Sequence, residues 1–178
     1  MANTMPKYIL FTWGCQMNED DSEQIGEVLT QMGYGRTENA EEADLAILVT
    51  CSVRDKPEQK AKSKLGELAL LKRGNPRLII GVCGCMAQRM GESLRKGRPY
   101  LDFVVGTAAI PRLPDIIRRV QERRRFEHEL EMPVDPLGPR PVPERVTRRG
   151  TGLKSFVTVT YGCDNYCSYC VVPYVRGR

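Results

Sequence analysis

Along the chain, short unbroken apolar runs alternate with segments whose apolar residues recur every three or four positions. The first run is Tyr8-Ile9-Leu10-Phe11, inside a strand expected over Lys7 to Thr12 that ends at Gly14-Cys15. Ile25, Val28, Leu29 and Met32 then mark one face of a helix that Asn18 or a neighbouring acid can cap and Gly33 can terminate. A short strand is expected at Tyr34 to Thr37. Leu45-Ala46-Ile47-Leu48-Val49 is apolar throughout, as in a strand buried on both faces of a parallel sheet, and it stops at Thr50-Cys51. Asp55 with Glu58 makes a capping-box-like start for a helix with Ala61, Leu65, Leu68 and Lys72 on one face, halted by Gly74 and Pro76. Leu78-Ile79-Ile80-Gly81-Val82 runs into Cys83-Gly84-Cys85, and a helical segment follows to about Lys96. A strand over Leu101 to Val105 and a helix burying Leu113, Ile116, Ile117 and Val120 complete the series.

This alternation predicts an α/β fold, a parallel sheet with helices on both faces and right-handed crossovers. Ligands bind such sheets in the crevice outside the carboxyl ends of the strands. Cys15, Cys51 and Cys85 each stand just past the carboxyl end of a different apolar strand, 36 and 34 residues apart, about one strand-helix unit each time. Three thiolates from three loops are thus expected to converge as ligands of a metal or cluster. Gly14 and Gly84 would let the backbone turn tightly beside it. The competing reading is that all three are small buried hydrophobes, the usual role of a free cysteine. Cys83, two residues before Cys85, is assigned to the strand as a packing residue.

After Phe126 the pattern breaks. Five of the twelve prolines fall between Pro133 and Pro143, which reads as a linker or extended arm. Phe156-Val157-Thr158-Val159-Thr160 then reads as a strand leading into the loop Tyr161 to Cys170. The expected division is an α/β domain over 1–126, a Pro/Arg-rich linker over 127–152, and the opening strand and cluster loop of a barrel over 153–178. Cys163, Cys167 and Cys170 follow a Cys-x-x-x-Cys-x-x-Cys spacing. Three thiolates can hold three corners of a [4Fe-4S] cube and leave the fourth iron open to an exogenous molecule. Structural zinc takes four ligands in paired spacing, and the only histidine, His128, lies in another segment. An odd count of seven cysteines argues against a disulfide framework.

Composition adds a location and an electrostatic asymmetry. No secretory leader or membrane-length apolar stretch is read, so a cytoplasmic protein with no membrane partner is expected. Residues 1–111 carry fourteen basic and fourteen acidic side chains, so the net charge of +5 arises in 112–178, with thirteen basic and eight acidic. Arg118, Arg119, Arg123, Arg124 and Arg125, then Arg140, Arg145, Arg148, Arg149 and Lys154, form either a phosphate-facing strip or a solvated helix face and polar linker.

Several motifs together resemble a known family: Thr12-Trp13-Gly14-Cys15-Gln16-Met17-Asn18 with Asp21-Ser22-Glu23, Thr50-Cys51-Ser52-Val53-Arg54, Gly84-Cys85-Met86-Ala87, and Gly162-Cys163 through Cys170-Val171-Val172-Pro173-Tyr174 with Arg176-Gly177. The chain resembles the methylthiotransferases, a family of radical S-adenosylmethionine (SAM) enzymes. Cys-Val-Val-Pro-Tyr after the loop makes it most similar to their MiaB-like, tRNA-modifying branch; the branch that modifies a ribosomal protein is the near relative. Val49 and Asp164 stand where family members usually carry Asn. The resemblance implies two [4Fe-4S] clusters. Cys163, Cys167 and Cys170 would hold the one that binds SAM and cleaves it to a 5′-deoxyadenosyl radical, with Tyr169 near the adenine. Cys15, Cys51 and Cys85 would hold the auxiliary cluster that carries the inserted sulfur, and a second SAM would supply the methyl group. The implied substrate is C2 of an N6-isopentenyladenosine next to the anticodon. The expected partners are a tRNA anticodon stem-loop and a one-electron reductant such as a flavodoxin or ferredoxin, with the protein a monomer. A complete barrel takes about 250 residues, and eight follow Cys170. The chain is therefore expected to be the N-terminal part of a longer enzyme, inactive alone. The other readings are a ribosomal-protein methylthiotransferase and a non-catalytic iron-sulfur-binding or docking module.

Overall fold

The computed structural model describes residues 5–130 and 158–177. In chain order its elements are β1 (Lys7–Trp13), α1 (Gln16–Gln31), β2 (Gly35–Arg36), β3 (Leu45–Thr50), α2 (Asp55–Gly74), β4 (Ile79–Cys83), α3 (Cys85–Met90), β5 (Phe103–Val105), α4 (Leu113–Arg123), β6 (Glu127–Glu129) and α5 (Val172–Arg176). Three short 3-10 segments, over Ala40–Glu42, Gly91–Arg95 and Thr107–Arg112, link them. The strands form one sheet in the order β2-β1-β3-β4-β5-β6, and every pairing is parallel. The chain leaves β1 for β2 on one side and then crosses to β3 on the other. The winding direction therefore reverses between β1 and β3, which is where open α/β sheets place their ligands.

Strand alternation divides the core between two faces. Tyr8, Leu45, Ile47, Val49, Cys83, Phe103 and Val105 point to the side covered by Ile25 and Leu29 of α1 and by Leu113, Ile116, Ile117 and Val120 of α4. Ile9, Ala46, Leu48, Ile80, Val82 and Val104 point to the other side, under Ala61, Leu65 and Leu68 of α2 and Met86 and Ala87 of α3. Every residue of β3 is buried, as its unbroken apolar run requires. Gly81 lies opposite Phe103 in the register, and a Cβ there would stand 2.0 Å from the Phe103 ring, so its missing side chain makes room for the largest fully buried group.

The local details correct several expectations. The helix after Cys85 is α helical only to Met90 and then tightens into the 3-10 segment ending at Arg95. Asp55 and Glu58 do not form a cap: Arg54 is the N-cap residue and caps with no side chain. Glu58 instead ion-pairs with Lys62 at 2.8 Å and with Arg89 of α3 at 2.6 Å. A sixth strand, Glu127–Glu129, lies in the segment read as linker. Glu-His-Glu has no apolar pattern, and it joins the sheet through backbone pairing with β5 and through the Arg119–Glu127 and Arg112–Glu129 ion pairs at 3.0 and 3.2 Å. Of the strand expected over Phe156 to Thr160, residues 156 and 157 lie outside the described residues, and Thr158 to Thr160 belong to no strand. The linker basics Arg140, Arg145, Arg148, Arg149 and Lys154 also lie outside them.

Candidate functional site

Neighbouring parallel strands stand about 4.8 Å apart, so the residues that follow β1, β3 and β4 meet at one edge of the sheet. Trp13 is in register with Thr50, and Val49 with Cys83. The turns Gly14-Cys15, Cys51 and Gly84-Cys85 are therefore side by side at the reversal point. Both glycines are needed for that proximity. A Cβ on Gly14 would lie 2.6 Å from the Cys51 Cβ and 2.4 Å from Asn18 Oδ1. Gly84 has φ +92°, a conformation side-chain-bearing residues rarely adopt, and a Cβ there would come within 3.2 Å of the Thr50 carbonyl oxygen.

Cys15 is the N-cap residue of α1. Its N–H and its Sγ–H both donate to Asn18 Oδ1, at 3.4 and 3.5 Å. Cys51 is buried, and its Sγ accepts the Val53 N–H at 3.3 Å. Cys85, also buried, accepts from Arg176 Nε at 3.2 Å. Burial pushes the Cys85 thiol pKa up, against the opposing pull of the Arg176 charge. Each thiol is thus engaged by its own partner. Among the described residues, no three His, Cys, Asp or Glu side chains are grouped as a ready metal site. What surrounds them nonetheless suits an anionic, sulfur-rich group. Asn18 is fully buried, and its Nδ2 has no hydrogen-bond partner among the described residues. An unpaired buried donor costs about 1–3 kcal/mol, and this one lies close to Gly84, between the turns. Three thiols, a guanidinium and an unsatisfied amide N–H fit a [4Fe-4S] cluster better than a hydrophobic core. Cys83 is different: it is wholly buried in the α1/α4 face, and burial pushes its thiol far up.

The second cysteine set lies on the chain leading into α5. Cys163 and Cys170 are half-buried and Cys167 is exposed. The loop is closed by Cys163 N–H donating to the Gly177 carbonyl and Cys170 N–H to the Cys167 carbonyl, both at 2.9 Å. Tyr166 has a left-handed φ of 46° and meets Tyr174 edge-to-face, while Tyr169 is 90% exposed. Arg176 joins this segment to the first set. It is 5% exposed, and its guanidinium grips both oxygens of Asp21, itself 1% exposed, at 2.9 and 2.5 Å while donating to Cys85. Burial works to lower the Arg176 pKa, but Asp21 and Cys85 outweigh it and hold the proton more tightly than usual. Two further ties fix the segment: Thr107 Oγ1 donates to the Val175 carbonyl at 2.6 Å, and Thr158 Oγ1 donates to Asp20 Oδ2 at 2.9 Å. Spacing gave Asn18 only a possible role as a helix cap, and the contacts of Asp21, Thr107 and Arg176 were not apparent from it, because their partners are distant in sequence.

The arginine strip divides. Arg118 pairs with Asp115 at 2.7 Å and Arg119 with Glu127. Arg123, Arg124 and Arg125 are exposed, at the carboxyl end of α4. A helix following a parallel strand runs back along the sheet, so these three sit at the amino edge, opposite the cysteine turns.

A family model described as uncharacterized protein family UPF0004 matches residues 7–106, which span β1 to the residue after β5 and include all three cysteine turns. The chain belongs to the UPF0004 family. Curated relatives of this UPF0004 chain are named tRNA-2-methylthio-N(6)-dimethylallyladenosine synthase. They include proteins from Dictyoglomus thermophilum, 44% identical over 98% of this chain and 39% of the relative, from Moorella thermoacetica, 43% identical over 100% and 40%, and from Syntrophus aciditrophicus, 48% identical over 94% and 36%. The resemblance read from the motifs is thus borne out. The chain spans about two-fifths of the length of these relatives. No helix among the described residues is long and apolar enough to cross a membrane.

Proposed function

We propose that the chain is the N-terminal part of a radical SAM tRNA methylthiotransferase that adds sulfur and a methyl group at C2 of N6-isopentenyladenosine beside the anticodon. The observation that carries this reading is the joining of two cysteine sets through one buried contact, Arg176 bound at once to Asp21 and Cys85. Similarity to relatives named as tRNA methylthiotransferases supports it. In this reading residues 1–126 form the methylthiotransferase domain, 127–152 a linker and 153–178 the start of the radical SAM domain. The protein works in the cytoplasm, as a monomer, with a flavodoxin- or ferredoxin-type electron donor.

Cys15, Cys51 and Cys85 would hold the auxiliary [4Fe-4S] cluster, and Cys163, Cys167 and Cys170 the SAM-binding one, with Tyr169 beside the adenine. The clusters, when bound, supply reductive SAM cleavage and a site for the transferred sulfur. The chain's own residues prepare for them. Gly14 and Gly84 let the turns approach, Asn18 Nδ2 offers a donor between them, and Arg176 sets a fixed positive charge against Cys85 in a buried place where thiolate charge needs compensation. Arg176 also ties the segment after the second cysteine set to the first, so ordering one favours ordering the other.

Anaerobic reconstitution with iron and sulfide should give about four irons per three-thiolate set. Replacing Cys15, Cys51 or Cys85 by Ala should remove one set, and Cys83→Ala neither. Full iron retention in Cys51→Ala sinks the ligand assignment. For the substrate, mass spectrometry of tRNA nucleosides and of ribosomal proteins from cells lacking the gene tests the assignment. Loss of the methylthio group from tRNA is expected, and loss from a ribosomal protein instead would overturn it.

A further inference from the structure

The single tryptophan of the chain stands two residues before Cys15. Alternation along β1 puts Phe11 and Trp13 on the α2 face, where their rings stack at 5.9 Å with an interplanar angle of 8°. On the side away from β3, among the described residues, β1 is paired only at Lys7 and Tyr8. Between the indole and the outer side of α2 runs an open groove of about 430 Å³, lined by Lys56, Gln59, Lys60, Ser63 and Lys64. Lys64 is committed: it lies over the Phe11 ring and ion-pairs with Glu67, the one acid of the groove. Lys56 and Lys60 are exposed and make no ion pair with any described residue. One turn apart on the helix, they are separated by about 6 Å along its axis.

We propose that this groove binds a nucleotide of a single-stranded RNA loop, its base stacked on Trp13 and its flanking phosphates met by Lys56 and Lys60. The proposal rests on the RNA substrate proposed above and adds where the strand lies. An aromatic platform beside a cationic track is how proteins hold single strands without reading sequence. Gln59 and Ser63 add hydrogen-bonding groups beside the lysines. An acidic peptide would satisfy the lysines but leave the indole face without a planar partner. Position argues the same way. The amino end of α2 lies at the carboxyl edge of the sheet, five residues after Cys51 at Lys56. Trp13 is about 7 Å of extended chain from Cys15. A nucleotide seated here is held beside the cysteine turns, whereas Arg123 to Arg125 lie at the far edge.

Because the full 178-residue chain has one tryptophan, its emission reports this groove alone. An end-labelled unstructured oligoribonucleotide of roughly ten nucleotides, within the range of single-strand site sizes, serves as the probe. Anisotropy should rise, and tryptophan emission should be quenched, over the same concentration range. Trp13→Leu, which keeps an apolar side chain, should weaken binding by roughly 5- to 150-fold, as loss of one base stack does. Lys56→Gln and Lys60→Gln, remote from the cysteines, should each lower the slope of log affinity against log salt by about 0.7. RNA binding with unchanged emission and unchanged slopes overturns the groove and leaves the RNA substrate standing. No binding at low salt also overturns the groove, and the substrate is then decided by the nucleoside measurement. Equal quenching by a polyglutamate peptide assigns the surface to an acidic protein and overturns the nucleotide reading.

Discussion

Arg176→Leu probes the contact that unites the two cysteine sets. Asp21 is 1% exposed, and both its oxygens are held by Arg176, so the substitution leaves a carboxylate inside the protein with Asp20 close by and its counter-charge gone. Removing one partner of a buried ion pair costs about 3–5 kcal/mol. With a urea slope of about 2 kcal/mol/M, the unfolding midpoint should fall by about 1.5–2.5 M at constant slope. A second route can relieve part of that: α5 lifts off, water reaches Asp21, and the loss is limited to the docking energy of α5, which Val175 burial and the Thr107 bond supply. Cys85, 3% exposed in the intact protein, would then react with a thiol reagent. Urea melts and Cys85 alkylation rates, read together, separate the routes. Arg176→Lys keeps charge without the two-pronged grip and should fall between wild type and Arg176→Leu. The pair Asp21→Leu/Arg176→Met replaces both charges by apolar volume and should recover most of the lost stability. A midpoint shift below about 0.3 M in Arg176→Leu, comparable with an ordinary surface substitution, together with a protected Cys85, would refute the claim that this pair holds the segments together.

Gly81→Ala should destabilise more than most single core changes, because its Cβ would stand 2.0 Å from the Phe103 ring with no flexible end to yield; a paired Phe103→Leu should restore part of the loss in thermal melts. Glu58 is drawn below its usual range because Lys62 and Arg89 together outweigh the effect of burial, which pushes the other way. Its contribution to stability is therefore full above the ordinary glutamate value of about 4.3 and is lost as pH falls through the lowered folded value. Glu58→Gln should flatten that acid limb in urea midpoints measured between neutral and acid pH; an unchanged limb refutes the pairing. Arg119→Glu should weaken the fold through repulsion of Glu127, whereas Arg123→Glu and Arg125→Glu should leave melting unchanged and reduce RNA affinity less than Lys56→Glu and Lys60→Glu do.

Elements that bury a periodic face were legible because the signal lies within each segment. The all-apolar β3 and the Leu113, Ile116, Ile117, Val120 stripe of α4 could be read without knowing their neighbours. β6 was not, since Glu127–Glu129 is held by pairing to β5 and by arginines of two other segments, none of which marks its own sequence. Caps failed for a related reason. Asp55 and Glu58 have the right spacing, but the helix begins one residue earlier than a cap at Asp55 would allow, and Glu58 is drawn to Lys62 and to Arg89 on α3.

The cysteine turns show the same boundary inside one site. Their place at strand ends was readable, because each follows an apolar run, but their adjacency depends on strand order, and the order β2-β1-β3-β4 makes the three turns consecutive. A sheet wound in the plain order β1-β2-β3 would have separated Cys15 from Cys51 by a strand. The short β2 sits outside β1 and pairs only at Lys7 and Tyr8, and this one placement has two effects. It brings β3 against β1, closing Cys15 toward Cys51, and among the described residues it leaves β1 unpaired beyond Tyr8 on its outer side. The adjacency of the thiols is therefore a consequence of the reversal in winding.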